Sequence, residues 1–437
     1  MTKIKIGAVS LGCDKNRVDT EIMLQKLSSN GYEIISEPDK ADVIIINTCA
    51  FLEAARKESI ETVLDLSTLK NDESNKKIVV TGCLPELYGK EIYENLTEAD
   101  CVCGTNFDIV DAVKQTLNGE RIHMPPTPRK KTVEPRLITT PIHYAYLKIA
   151  DGCDNFCSYC LIPKIRGNFF SYPLEQLVAQ AESLTAKGVS EIILVAQDVT
   201  KYGFDLYGKP QLVELLRKLG NIKNLKRIRL LYCYPELVTD ELLDEIKNNE
   251  KICKYIDIPL QHVDGEILKR MNRKSNEISV LKLFEKLTQN YPEIKVRSTF
   301  ICGFPGETKQ QHNKIKAFLS KYKLYNVGFF AYSQEDGTSA AKMPEQINEK
   351  AKQKRVKELY LTQSKIVSRL NKSFKGRIVE CVIDEDAGDF YVGRTEFQSP
   401  EIDGITKIYS KKPLLTGEYV SVKIVGYDKY DLIGEIK

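Results

Sequence analysis

The stretch DGCDNFCSYC, residues 151–160, places three thiols within eight residues, at Cys153, Cys157 and Cys160. Three thiolates at this CxxxCxxC spacing can reach three corners of an iron–sulfur cube from one tight loop, and soft sulfur ligands favour iron–sulfur clusters or zinc. The sequence has no fourth cysteine nearby. A structural zinc site uses four protein ligands, whereas a site with three leaves one metal corner open. We therefore expect the chemistry at an open corner.

A repeating pattern of strands and amphipathic helices surrounds this loop. One strand-like run precedes it at 144–150, and five more follow at 191–196, 227–232, 255–258, 296–301 and 327–332. Six parallel strands with outer helices predict a partial TIM-like (β/α)6 barrel, whose functional loops lie at the carboxyl ends of the strands. The three-cysteine loop follows the first strand and is predicted to lie on that face.

Polar residues at other strand ends of this barrel are candidates for a cofactor pocket. Gln197 and Asp198 follow the second strand, Gln261 and His262 follow the fourth, and Tyr159 lies within the cysteine loop itself. A lone histidine in a loop is more often a hydrogen-bonding residue than a metal or cofactor ligand. The candidacy of His262 therefore rests on its position alone. We expect the four strand-end side chains to face the three-cysteine loop, of which Tyr159 is itself a part.

The first third of the chain alternates strand-like and helical runs, which predicts a doubly wound parallel α/β domain. Its clear strands are at 4–10, 43–47 and 78–81, with weaker candidates at 32–35 and 100–103. One cysteine follows each clear strand, at Cys13, Cys49 and Cys83. The carboxyl ends of parallel strands share one edge of the sheet, where ligands bind, so three separate cysteines can converge there.

A buried cysteine is by itself an ordinary core residue. That interpretation is kept for the remaining six, Cys101, Cys103, Cys233, Cys253, Cys302 and Cys381. For three cysteines at matching strand ends, a metal site is the better interpretation.

Composition and charge place the chain in a broad class. At 437 residues it is long enough for about three domains. Hydrophobic residues make up 42% and charged residues 28%, which is ordinary globular usage. A net charge of +4 is too small to indicate nucleic acid. No run approaches a bilayer span and no signal peptide is seen, so we expect a cytoplasmic protein whose twelve cysteines stay reduced.

The expected organisation is three domains joined by two connecting segments. Residues 344–373 read as a helix whose basic face is more simply explained by solvation than by nucleic acid. The last segment has short alternating strands at 377–383, 391–395, 419–425 and 432–436 and is predicted to form a small β-barrel. The predicted units are 1–120, a linker at 121–140, the barrel at 141–343, the helix at 344–373 and the last domain at 374–437.

The CxxxCxxC loop at the end of the first barrel strand resembles that of the radical S-adenosylmethionine enzymes. The resemblance implies that Cys153, Cys157 and Cys160 hold a 4Fe–4S cluster. It also implies that the amino and carboxylate groups of S-adenosylmethionine chelate the fourth iron. Reduction then cleaves this cofactor to a 5'-deoxyadenosyl radical.

The small β-barrel at 374–437 resembles a TRAM domain, an OB-like module that usually binds RNA. This segment holds nine Lys and Arg against twelve Asp and Glu. An acidic surface repels phosphates and suits a basic protein partner. Its charge therefore favours a protein substrate over RNA.

The order of the three domains resembles that of the methylthiotransferases, and several stretches resemble their RimO family: 10–16, 232–235, 259–262, 391–395 and 400–404. The resemblance implies that Cys13, Cys49 and Cys83 hold a second 4Fe–4S cluster that carries sulfur. One S-adenosylmethionine then methylates this sulfur, and the radical from a second abstracts a hydrogen from the β-carbon of an aspartate in ribosomal protein S-twelve. The carbon radical couples with the methylthio group.

One departure and three alternatives accompany this interpretation. Asp14 stands where the family more often has proline, and we expect little functional consequence because Asp14 is not a ligand. The alternatives are the related branch that modifies an adenosine of transfer RNA, an iron–sulfur electron carrier or sensor, and a structural zinc protein. The sulfur donor and the electron donor stay open.

Overall fold

The computed structural model describes residues 3–70 and 76–436. The outer limits of the first and last predicted domains, residues 1 and 437, lie outside these ranges.

The amino-terminal part is a six-stranded parallel sheet in the order β2-β1-β3-β4-β5-β6. Its third strand reads VIIINT and is buried on both faces, as expected for a parallel sheet covered by helices. Alternate residues of the sheet pack into two separate cores, so helices lie on both faces and the predicted doubly wound fold is confirmed. The elements are β1 (Lys5–Ser10), α1 (Asp14–Ser29), β2 (Glu33–Ile34), a 3-10 turn (Pro38–Lys40), β3 (Val43–Thr48), α2 (Glu53–Ser67), β4 (Lys77–Gly82), α3 (Cys83–Asn95), β5 (Cys101–Val102), α4 (Ile109–Leu117) and β6 (Ile122–His123).

The central part is an open six-stranded parallel sheet with the expected partial-barrel order β14-β13-β12-β11-β10-β7. Residues such as Leu147 and Leu194 point outward into the core under the helices, whereas their neighbours Tyr146 and Ile193 point to the inner face. The elements are β7 (Tyr144–Lys148), β8 (Ala150–Asp151), α5 (Ile162–Arg166), β9 (Phe170–Ser171), α6 (Leu174–Ala186), β10 (Glu191–Val195), α7 (Phe204–Tyr207), α8 (Leu212–Gly220), β11 (Arg227–Leu230), a 3-10 turn (Pro235–Leu237), α9 (Asp240–Asn248), β12 (Ile252–Asp257), α10 (Gly265–Arg270), α11 (Glu277–Asn290), β13 (Lys295–Cys302), α12 (Lys309–Tyr322), β14 (Asn326–Ala331) and a 3-10 turn (Ala340–Lys342).

The connecting helix α13 (Glu349–Lys372) begins later than the sequence suggests, because the Asn348 side chain caps it by accepting from the Ala351 amide. Leu359 and Ile366 bury one face of α13 against the central domain. In the part of the chain that the structure describes, no helix has the length and apolar character to cross a membrane.

The last part is a closed five-stranded barrel in the order β15-β16-β17-β19-β18, as predicted. Its loops pack against the inner face of the central sheet, where Arg394 and Arg229 both pair with Glu191. Burial alone would raise the pKa of Glu191, but the two guanidinium groups hold it at about 2. The strands are β15 (Ile378–Asp386), β16 (Tyr391–Arg394), β17 (Thr406–Tyr409), β18 (Tyr419–Asp428) and β19 (Asp431–Glu435).

Candidate active site

The barrel loop that carries Cys153, Cys157 and Cys160 folds tightly against the residues that follow it. The Cys153 amide donates to the Gly167 carbonyl at 3.0 Å, and the Cys160 amide donates to the Cys157 carbonyl at 3.0 Å. Gly152 has a φ of +75°, and a Cβ there would lie 2.1 Å from the Asn168 carbonyl oxygen. The turn into the loop therefore requires glycine.

The three thiols of this loop are close enough to influence one another. Burial raises the pKa of Cys153 to about 11 and that of Cys160 to about 12, and the neighbouring thiols add to both shifts. Thiolate is the form that binds metal, so these groups need a cation to ionise near neutral pH.

One cation, the guanidinium of Arg273, already lies beside the Cys157 thiol. Its Nη1 is 3.8 Å from Cys157 Sγ. It stacks on the ring of Tyr234 at 4.1 Å and donates to the Pro259 carbonyl at 3.0 Å, and these two contacts hold it in place. The Tyr234 hydroxyl is 3.9 Å from the same sulfur.

The second set of thiols, Cys13, Cys49 and Cys83, lies at the carboxyl edge of the amino-terminal sheet. Cys13 precedes α1, Cys49 follows β3, and Cys83 begins α3 directly after β4. Burial raises the pKa of Cys83 to about 12, and the Cys13 and Cys49 thiols contribute to this shift. A Cβ on Gly12, whose φ is +85°, would lie 2.7 Å from Cys49 Cβ. The structure thus brings the three strand-end cysteines together.

A buried charge network joins the two cysteine sites, and Arg166 lies at its centre. The guanidinium donates to Asp19 at 2.5 Å and contacts Asp151 at 3.5 Å. Lys148 pairs with the same two carboxylates. Lys148 and Arg166 hold the pKa of Asp151 below its usual range, although burial alone would raise it.

Three of the predicted cofactor-pocket residues adjoin the barrel loop. Gln197 donates to Asp151 at 3.2 Å, and its Oε1 is buried without a partner among the described residues. Asp198 accepts from the Asn155 side chain of the loop at 3.1 Å, and burial raises its pKa. The pKa of Tyr159 is raised by burial and by the nearby Cys157.

The other two predicted pocket residues have different surroundings. Gln261 has a φ of +67°, and its amide donates to the Thr299 carbonyl on β13 at 2.8 Å. The ring of His262 is fully buried; its Nδ1 accepts from the Asp264 amide at 2.9 Å, and its Nε2 lies 3.8 Å from Glu307. Burial lowers the pKa of His262 to about 3, so the ring is neutral. Contact of these two residues with a cofactor stays a prediction.

The sequence did not single out several residues that contact the thiols or the charged groups beside them. Arg166 and Asp151 flank the cysteine motif and were visible as charges beside it. Tyr234 lies in the stretch 232–235, which carried a family resemblance but no assigned role. Asn16 and Asp19 contact Arg166, which follows the loop, from 150 and 147 residues away in sequence, and no local signal indicates this.

The donor chemistry of both sites fits an iron–sulfur cluster with one open iron. Each site offers three grouped thiols, mostly buried, with a guanidinium beside one of them. Within residues 3–70 and 76–436, no group of three or more His, Cys, Asp or Glu side chains is arranged so that it could hold a metal ion. Each cysteine of a 4Fe–4S cluster binds a different iron, so cluster ligands need not converge on one point.

Three family patterns match the chain in succession. Residues 5–104 match the family described as Uncharacterized protein family UPF0004. Residues 147–319 match the Radical SAM superfamily, and residues 376–436 match the TRAM domain.

Curated relatives cover the whole chain. A protein of Clostridium tetani (strain Massachusetts / E88), named ribosomal protein uS12 methylthiotransferase RimO, is 45% identical over 440 residues, which cover 100% of this chain and 99% of its own. A protein of the same name from Clostridium perfringens (strain ATCC 13124) is 44% identical over 442 residues with the same coverage.

Solved structures share the fold at low sequence identity. The radical S-adenosylmethionine methyltransferase TsrM from Kitasatospora setae superposes with a TM-score of 0.56 and 14% identity, over 76% of this chain and 75% of its own. The cobalamin-dependent enzyme OxsB superposes with a TM-score of 0.52 and 13% identity, over 85% of this chain and 61% of its own. At these identities the likeness concerns the fold alone.

Proposed function

The chain belongs to the RimO family of radical S-adenosylmethionine methylthiotransferases, and we propose that it adds a methylthio group to the β-carbon of an aspartate in ribosomal protein uS12. As a member of this family it uses two 4Fe–4S clusters and S-adenosylmethionine. One observation carries the proposal: two sets of three thiols lie on either side of one buried charge network, in a chain that matches the family over its full length.

The two sets have separate roles in this proposal. The bound groups supply reductive cleavage of S-adenosylmethionine at the barrel loop and the methylthio group at the amino-terminal site. Cys153, Cys157 and Cys160 hold the first cluster, while Cys13 and its two partners, Cys49 and Cys83, hold the second. The Arg166 guanidinium beside Cys83 favours the thiolate form that metal binding requires, and the Arg273 guanidinium lies beside Cys157.

Residues around the barrel loop suit the polar end of S-adenosylmethionine. The Gln197 Oε1 is a buried acceptor without a partner among residues 3–70 and 76–436, which suits an amino group as donor. Asp198 is already occupied by the Asn155 and Thr200 side chains, so in this proposal it fixes the loop. Arg273 and Tyr234 cover Cys157 and limit the access of water to the reacting centre.

The choice of an aspartate explains the need for radical chemistry. A β C–H bond next to a carboxylate is too weakly acidic for an ordinary base near neutral pH, so a cofactor-derived radical must remove the hydrogen. The acidic composition of 374–437 suits a basic protein partner. The alternative of a transfer RNA adenosine is not favoured, because the full-length relatives carry the uS12 name.

We place the reaction in the cytoplasm, without a membrane partner. All twelve cysteines are free, as expected in a reducing compartment.

The test is a substrate comparison with anaerobically reconstituted enzyme. The enzyme, a reductant and S-adenosylmethionine are incubated with uS12 or with transfer RNA, and both products are analysed by mass spectrometry. We expect an added methylthio group on one aspartate of uS12, retained in the control Cys381→Ala, whose cysteine lies in the carboxyl-terminal barrel. Modification of adenosine alone would contradict the proposal.

A further inference from the structure

We infer that Arg166 is a positioning residue that sets the relative placement of the two cysteine sites and keeps positive charge beside the Cys83 sulfur. This inference rests on the proposed function, because it takes the two sites to work as a pair. Arg166 ends α5, the short helix that directly follows the barrel cysteine loop, and it is only 4% exposed.

The guanidinium contacts both sites at once. Nη2 donates to Asn16 Oδ1 at 2.5 Å and lies 3.8 Å from Cys83 Sγ. Nη1 donates to Asp19 at 2.5 Å and contacts Asp151, two residues before Cys153, at 3.5 Å. One rigid planar group therefore spans the interface between the amino-terminal domain and the barrel loop.

Asn16 extends this contact to the other two amino-terminal cysteines. Its amide nitrogen donates to the Leu11 carbonyl at 3.1 Å and to the Thr48 carbonyl at 3.0 Å. Leu11 lies two residues before Cys13, and Thr48 directly precedes Cys49. Because the nitrogen is committed to these carbonyls, the amide oxygen faces Arg166. A shift of the guanidinium is thus transmitted to the loops of all three cysteines.

Lys148 cannot replace Arg166 in this role. Both cations pair with Asp19 and Asp151, so the carboxylates keep one partner if either cation is lost. Of these two cations, Arg166 is the one that also contacts Asn16 and Cys83. An ammonium is a point charge and cannot reproduce the planar fork that reaches four groups.

Two substitutions separate the geometric effect from the effect of charge. Arg166→Lys keeps the charge but loses the fork, so S-adenosylmethionine cleavage continues while transfer becomes inefficient. A misplacement of about 1 Å can cost a reaction about a hundredfold. We expect 5'-deoxyadenosine formed per methylthiolated uS12 to rise by about tenfold or more. Arg166→Gln also loses the charge, and we expect the reduction potential of the amino-terminal cluster to fall in addition.

The experiment measures iron and sulfide content, the ratio of 5'-deoxyadenosine to methylthiolated uS12, and the reduction potential of the amino-terminal cluster. The potential is measured by an EPR-monitored titration in a Cys157→Ala background, in which only that cluster is expected. Arg217, exposed on α8, gives the matched controls Arg217→Lys and Arg217→Gln, which should match the wild type. A lowered potential in Arg166→Gln but not in Arg166→Lys, with a raised ratio in both, supports the inference.

Two results would overturn the inference: an unchanged ratio and potential in Arg166→Gln with intact iron, or loss of amino-terminal iron from both variants. If Arg166→Gln does not fold, Asp19→Asn removes one carboxylate that orients the guanidinium, and an unchanged ratio there also overturns the inference. If wild-type enzyme leaves uS12 unmodified, the proposed function fails, but the potentials still test Arg166 on their own.

Discussion

The two cysteine sites are built in opposite ways. The barrel site takes its three thiols from one loop of eight residues, whereas the amino-terminal site takes one thiol from each of three strand ends. The three strands β1, β3 and β4 are neighbours in the sheet, so their ends meet only after the sheet has formed. The ligands of the first site are therefore close together in the sequence. Those of the second site come together only because of the sheet topology.

The arginines beside the two sites also differ in whether their contacts come from one domain or from two. Arg273 belongs to the barrel and is held by the Tyr234 ring and a backbone carbonyl. Arg166 is held by carboxylates and an amide from two domains. The barrel site is therefore organised within its own domain, while the amino-terminal site depends on how the domains meet.

The largest expected effect comes from adding a methyl group at the glycine beside each site. In Gly152→Ala the Cβ would lie 2.1 Å from a backbone oxygen, so we expect loss of the barrel cluster and of all 5'-deoxyadenosine formation. In Gly12→Ala it would lie 2.7 Å from Cys49 Cβ, so we expect loss of the amino-terminal cluster with cleavage retained. Each variant should hold about half of the wild-type iron, since one of two 4Fe–4S clusters remains.

Gly208→Ala is the control for the glycine pair. Gly208 also has a positive φ, +70°, but apart from its chain neighbours no described residue lies within 4 Å of an added Cβ. It should lose only about 1–2 kcal/mol of stability from the left-handed conformation and keep all its iron. Equal loss of cleavage in Gly12→Ala and Gly152→Ala would contradict the separation of the two sites.

A smaller effect is expected from Arg273→Lys. The charge beside Cys157 remains, but the stacking on Tyr234 and the planar fork are lost. We expect 5'-deoxyadenosine formation to slow by about tenfold, which corresponds to ~1.4 kcal/mol. The exposed Arg217→Lys serves as control. An unchanged cleavage rate in Arg273→Lys would show that Arg273 has no role in cleavage.

The smallest effect is expected from Asp14→Pro, which introduces the residue more common in the family. Asp14 is the first residue of α1, a position that accepts proline, and Cys13 before it is extended as proline requires. The substitution removes the hydrogen bond from the Tyr232 hydroxyl, 3.0 Å long, which links the domains. We expect a loss of about 1 kcal/mol in unfolding free energy and nearly wild-type product yield. A large loss of iron would contradict this.

The fold class was predictable because its elements carry strong local patterns. The buried run of β3 is typical of a covered parallel sheet, and the repeated alternation of strands and helices indicates the barrel. Three short strands were missed, one of which is the two-residue β9 that follows the barrel cysteine loop. β17 has only four residues and pairs in parallel with β19, a contact distant in sequence, and β6 has two residues within the segment predicted as a linker.

The six cysteines of the candidate site were singled out from the sequence, but their surroundings were not. Cysteine is chemically distinctive, and its spacing or strand-end position was enough to single out six of twelve. Asn16 and Asp19 are ordinary polar residues that become part of the site only through domain packing, and Tyr234 joins it only through the folding of the barrel. Their roles depend on contacts over 70 to 150 residues of sequence, which periodicity and local motifs do not report.

The division of labour between the two sites is tested most directly by Cys49→Ala, assayed for 5'-deoxyadenosine and for methylthiolated uS12 in the same reaction. The barrel loop does not include Cys49, so we predict that cleavage of S-adenosylmethionine continues while methylthiolated product disappears. The matched variant Cys157→Ala should lose both products. Methylthiolation that survives in Cys49→Ala would contradict the assignment of the amino-terminal cysteines.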